Sequence, residues 1–178
     1  MQLCQRFTLI EELIGASASE LGGDLVAYRN HVCRVLNFYL ALVGQPSPST
    51  AILVAAAFHD LGIWTDRTFD YLSPSVNLAT SYLSAHDLGA LEVEVRAIIT
   101  EHHKLLPYKG EFSPSVEAFR QADLIDLSLG IIHFRLPTSF VQLVRMAFPN
   151  AGFHRRLTVL AAGQFMRTPF NPLPMVHW

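Results

Sequence analysis

Ala51-Ile52-Leu53-Val54-Ala55-Ala56-Ala57-Phe58-His59-Asp60 sets eight apolar residues in succession before two residues of metal-ligand type. The run is too long and too rich in alanine for a strand, so it predicts a helix buried on all sides. That helix opens near Ser49-Thr50, and Gly62 is placed to take a left-handed position just past its end. A histidine and an aspartate closing such a helix would be carried into the protein interior. There an ionisable pair needs partners, and a metal ion is one.

Outward from this run the pattern stays helical. Phe7, Ile10, Leu13 and Ile14 recur at helical spacing within 3–16, and Gly22-Gly23 break the chain. Asp24 is a candidate N-cap for a helix to Val43, whose apolar face is Val26, Val32, Val35, Leu36, Tyr39, Leu40 and Val43. A connector over 63–74 precedes a helix from Pro74 or Ser75 to His86, stopped by Gly89. Further helices are expected at 90–103, 115–129, 138–148 and 151–167, followed by an extended proline-containing tail over 168–178. The expected fold class is all-α, a bundle of about seven to eight helices. It forms a single domain over 1–178, with a core at about 24–129 and C-terminal helices and tail over 130–178.

Composition narrows the function classes. Of 178 residues, 51% are hydrophobic and 16% charged, which excludes a disordered polar chain. The formal net charge of −2 gives no field for duplex nucleic acid or an anionic membrane. No apolar stretch approaches the roughly 20 residues that span a bilayer, and 1–10 lacks a signal-peptide pattern. The expected address is therefore cytoplasmic. Cys4 and Cys33 are too few for a disulfide scaffold and read as reduced thiols. Phe170, Met175, Val176 and Trp178 in the tail would suit either a homodimer or packing on the tail's own domain.

The metal-ligand residue types recur along the predicted helices. His31 falls within the second long helix, His59 and Asp60 end the third, His86 ends the fourth, His102 and His103 end the fifth, and Asp123 lies within the sixth. Each has an ordinary alternative: a lone histidine in an amphipathic helix is commonly a satisfied core residue, and one at a helix C-terminus gains from the dipole. Together, imidazole and carboxylate without cysteine suit Fe, Mn, Ni, Co or Zn, a harder site than structural zinc. An aspartate has two oxygens and can bridge two ions, so Asp60 is the candidate bridge and catalytic residue. Asp126, one turn after Asp123, is either an orienting partner or a surface carboxylate. His133, His154 and His177 lack ligand-spaced partners and read as structural or exposed.

The series His31, His59-Asp60, Asp123 resembles the HD-domain superfamily of metal-dependent phosphohydrolases, which are all-helical. The additional His86 and His102-His103 resemble its dinuclear branch, seen in cyclic-dinucleotide phosphodiesterases of the HD-GYP type and related nucleotide hydrolases. The resemblance covers about 24–129. It implies one metal held by His31, His59, Asp60 and Asp123, and a second sharing Asp60 and taking His86 with His102, His103 or both. It also implies hydrolysis of a phosphoester, that of a nucleotide or other small phosphorylated metabolite, through a metal-bridging hydroxide. The chain departs from the cyclic-dinucleotide members. Ile63 follows Gly62 where they carry lysine, their Gly-Tyr-Pro element is missing, and Ala27 stands where trinuclear members have a further glutamate. Two divalent ions are thus expected and cyclic-dinucleotide specificity is not.

Lys104, Arg67, Lys109 and Arg34 are the cationic candidates for substrate phosphate, each with an alternative as an ordinary surface or paired charge. The stretch 104–113 could serve as a lid or as a plain connector. Similar ligand sets also occur in HD-like mixed-valent di-iron oxygenases; the glutamate and tyrosine that some of these place before the first histidine have no clear match here, Asp24 lying seven residues and Tyr28 three residues before His31. A non-catalytic regulatory module on the same scaffold is the other alternative.

Overall fold

The computed structural model describes residues 1–176 and is all-helical, with no strand among the described residues. Eight helices of nine residues or more make the bundle: α1 (Thr8–Ala16), α3 (Leu25–Val43), α4 (Thr50–Phe58), α6 (Leu72–Ala85), α7 (Glu92–Glu101), α8 (Ser113–Leu127), α9 (Thr138–Ala147) and α10 (Phe153–Arg167). Two single turns, α2 (Ala18–Leu21) and α5 (Gly62–Thr65), join them. None of these helices is long and apolar enough to cross a membrane. His177 and Trp178, and with them part of the expected apolar tail, lie outside the described residues.

The apolar run becomes α4, and Ala51, Ile52, Val54, Ala55, Ala56, Ala57 and Phe58 are all buried. Ser49 accepts a bond from the Ile52 amide at 3.3 Å, which satisfies one of the donors orphaned at the helix start. Helix α3 packs along α8, while α4 lies against α7, α1, α6 and α3. The core is therefore enclosed by α3, α4, α7 and α8, and every strong ligand candidate sits on one of these helices or just after it. Small alanine side chains at 55–57 let those neighbours approach α4 closely.

Several boundaries differ from expectation, each for a local reason. Helix α1 starts at Thr8 and not near Leu3, because Asn37 bonds both the Cys4 amide (2.8 Å) and its carbonyl (3.0 Å) and holds the first residues non-helical. Asp24 does not cap α3: its carboxylate accepts from Trp64 Nε1 at 2.9 Å and pairs with Arg156 at 3.1 Å. Val26, expected in the apolar face, is 49% exposed. Helix α6 begins at Leu72, so that Pro74 falls in the first turn, where its missing N–H has no helical partner to lose. The tail is folded into turns, not extended, and buries Met175.

Gly62 is not left-handed but opens α5, and its role is close approach. A Cβ there would stand 2.7 Å from the Tyr71 carbonyl oxygen and 2.9 Å from Pro74 Cβ. Its amide donates to Ser75 Oγ at 3.0 Å. The start of α6 is thereby seated against the residues that follow Asp60.

Candidate metal centre

Two helix ends and two helix interiors converge. His31 comes from the middle of α3, His59 and Asp60 from the end of α4, His102 and His103 from the end of α7, and Asp123 from the middle of α8. His31, His59, Asp60, His102 and Asp123 are all nearly inaccessible to solvent. Two sets of ligand atoms are each compact enough to hold a metal ion, His31–His59–Asp60 and Asp60–His102–His103. Asp60 belongs to both. Its Oδ2 faces His59 Nε2 at 3.4 Å and His31 Nε2 at 3.6 Å, and its Oδ1 faces His102 Nε2 at 3.3 Å. Asp123 straddles the same two sets, with Oδ1 at 3.6 Å from His31 Nε2 and Oδ2 at 3.7 Å from His103 Nδ1.

Hydrogen bonding fixes which ring nitrogens face inward. His59 Nδ1 donates to the Ala56 carbonyl at 2.9 Å, His102 Nδ1 to the Ile99 carbonyl at 2.7 Å, and His31 Nδ1 to Asp126 Oδ2 at 2.7 Å. With Nδ1 so engaged, the neutral form of each ring turns its Nε2 lone pair toward the cluster, the tautomer a metal ligand needs. The consequence is visible in two places. His31 Nε2 and His59 Nε2 face each other at 3.0 Å, and Asp60 Oδ1, His102 Nε2 and both Asp123 oxygens are buried with no aligned hydrogen-bond partner. Acceptors gathered without donors are costly to bury, and cations are the complement that satisfies them all. The residues present therefore fit a metal group.

Charge leads to the same conclusion. Burial pushes His59 down to about 3, helped by His102 and His31 and opposed by Asp60. Burial and then His102 hold His103 well below the usual histidine range. Asp60 is kept well below the usual carboxylate range, because His59, His102 and His31 outweigh a burial effect that alone would raise it. Asp123 moves well above it, through burial and through repulsion from Asp60 and Asp126. With His59 and His103 both depressed beside two crowded carboxylates, the pocket is short of positive charge.

Asp126 supplies the support. It is buried, and Arg34 clasps it through Nε to Oδ1 at 2.5 Å and Nη2 to Oδ2 at 2.8 Å while also donating to the Phe148 carbonyl at 2.9 Å. Burial would raise the Asp126 carboxyl, but His31 and Arg34 hold it well below its ordinary value. From α10, Phe153 stacks on the His31 ring at 4.1 Å, and His154 Nε2 donates to the Asp126 carbonyl at 2.9 Å.

The structure does not bring every sequence candidate here. His86 is exposed beyond the end of α6, its ring against Tyr82 and its Nδ1 on the Tyr82 carbonyl at 2.8 Å, in neither ligand set. The start of α6 is the end at the cluster, and 14 residues of helix carry His86 about 20 Å along the axis. Arg34 is not available to a phosphate, since its guanidinium is committed to Asp126 and the Phe148 carbonyl. Arg67 and Lys109 are exposed on connectors, and Lys104 lies 3.5 Å from Glu101. Tyr71 is the residue that sequence reasoning missed. Its hydroxyl is 2.6 Å from His103 Nε2, and burial, then Asp60 and Asp123, keep it protonated. Its position in a connector gave no periodic signal.

Beside the cluster opens a cavity of about 490 Å³, onto which Asp60, Tyr71 and His103 face. No family model, no curated protein and no solved structure matches this chain.

Proposed function

We propose that this chain is an HD-type metal-dependent phosphohydrolase in which two divalent transition-metal ions share Asp60. The observation that carries the reading is the division of the Asp60 carboxylate, with one oxygen toward His31 and His59 and the other toward His102. Ions bound there would supply Lewis acidity toward a phosphoryl oxygen and a water of lowered pKa. The remaining chemistry belongs to the chain. Asp123 turns one oxygen toward His31 and the other toward His103, His103 completes the second set, and Asp126 holds His31 in its ligand tautomer. Tyr71, protonated and at the cavity face, is a hydrogen-bond donor for a phosphoryl oxygen. In the net reaction the oxygen of water bonds to phosphorus, the P–O bond to the alcohol breaks, and the alcohol leaves with a proton.

The preference for a hydrolase rests on the resemblance of the ligand series, and the geometry supports it by assembling all of that series except His86. The test is phosphate release from phosphomonoesters and phosphodiesters by metal-loaded protein without oxygen. Turnover by the native chain and its loss in Asp60→Ala is the expected result. Iron content with strictly oxygen-dependent turnover would replace the hydrolase by an oxygenase, and full metal loading with neither activity would leave a binding module.

A further inference from the structure

The cavity beside the cluster is unlike a site for a nucleoside polyphosphate. Among the described residues that line it there is no lysine or arginine, and apolar side chains, Phe69, Leu127, Leu157, Leu173, Met175 and Val176 among them, form most of its wall. Three cations of the flanking segments are paired elsewhere, Arg34 with Asp126, Arg156 with Asp24 and Lys104 with Glu101. Outside the cluster its polar lining is His154 and Thr158, and the donors of both are already engaged. His154 bonds the Asp126 carbonyl and Asn150, and the Thr158 hydroxyl donates to the His154 carbonyl at 2.9 Å. A ribose, a base edge or a chain of phosphates would lose its hydration there without compensation. An aliphatic group would gain by the same transfer.

Resting on the phosphohydrolase reading, we infer that the substrate is an alkyl phosphoester: a single phosphoryl head lies against Asp60, Tyr71 and His103, and an uncharged aliphatic body fills the cavity. A volume of about 490 Å³ lies within the range of small-molecule sites. The selectivity is set by α10 and the tail, which supply Leu157, Leu173 and Met175.

The test separates binding from turnover. Calorimetric titration of metal-loaded full-length protein with linear alkylphosphonates, from ethyl to octyl, should show affinity rising by roughly threefold to fourfold per methylene. Octylphosphonate should bind more tightly than adenosine triphosphate. Leu157→Asn and, independently, Leu173→Asn should weaken the octyl compound by about tenfold and leave the ethyl compound unchanged. Helical circular dichroism and metal content serve to show that each variant is folded. Affinity independent of chain length, or a preference for the triphosphate, would overturn the inference. Chain-length-dependent binding without phosphate release from octyl phosphate would uphold it and overturn the hydrolase. Phosphate release with no dependence on chain length would do the reverse.

Discussion

Asp126 shows how much of the site depends on a residue that is not itself in a ligand set. Its carboxylate fixes the His31 tautomer and neutralises a buried guanidinium at once, so Asp126→Ala should destabilise the fold by about 3–5 kcal/mol in urea unfolding. Asp126→Asn keeps the shape and loses the charge, and metal titration should show affinity reduced about 10- to 100-fold. An affinity equal to the native value would remove Asp126 from the support of His31. Acid should act through the histidines of the metal-free protein. His59 has a folded value of about 3, below its ordinary 6.5, and His103 is likewise depressed, so the unfolded chain takes up these protons first. Stability is then fully present above about pH 6.5 and falls as pH drops toward 3. Asp123, raised in the folded state, works in the opposite sense, but it is one group against two. Thermal unfolding of chelator-treated protein at pH 7 and pH 5 should give the lower midpoint at pH 5; a higher one would mean that Asp123 dominates. In the sequence, His31, His59 and Asp60 were legible because two residue types, histidine and aspartate, recur in order along the predicted helices. Asp126 was ambiguous, since a carboxylate one turn from a ligand is as consistent with solvent as with support until the Arg34 clasp is seen.

At the scale of the elements, helix identity was readable and helix reach was not. Periodicity marks the eight helices, and the length and alanine content of 51–58 correctly make α4 an enclosed helix. Order along the chain does not say which end of α6 meets the cluster, and His86 is lost from the site for that reason. Gly62 decides the matter: its missing side chain admits the Tyr71 carbonyl and so seats the N-terminal end of α6 beside Asp60. Gly62→Ala should cost about 1–3 kcal/mol through overpacking and should shift Tyr71 away from His103. Chemical denaturation reads the first effect. Weakened metal binding with α-helical content intact reads the second, and an unchanged stability would mean that the contact relaxes freely. The tail was similarly opaque. Its prolines ruled out a helix, yet the burial of Met175 depends on a cavity wall made by α10 and the residues after α8, which no local pattern encodes.

At the scale of the whole molecule, the four core helices and α10 meet where acceptors outnumber donors, so metal binding and folding should be coupled. A metal present at 100 times its dissociation constant adds about 2.7 kcal/mol per site, so for a chain of this size removal of two ions by chelation should lower the unfolding midpoint by about 10 to 20 °C. An unchanged midpoint would mean that the buried carboxylates are satisfied without metal. The central claim is that Asp60 is shared between two ions. Elemental analysis of native protein and of Asp60→Ala, both reconstituted with the same metal and freed of excess, tests it most directly. The account predicts two ions per native chain and loss of both in the variant. One ion or none in the native chain, or two retained without Asp60, would contradict it.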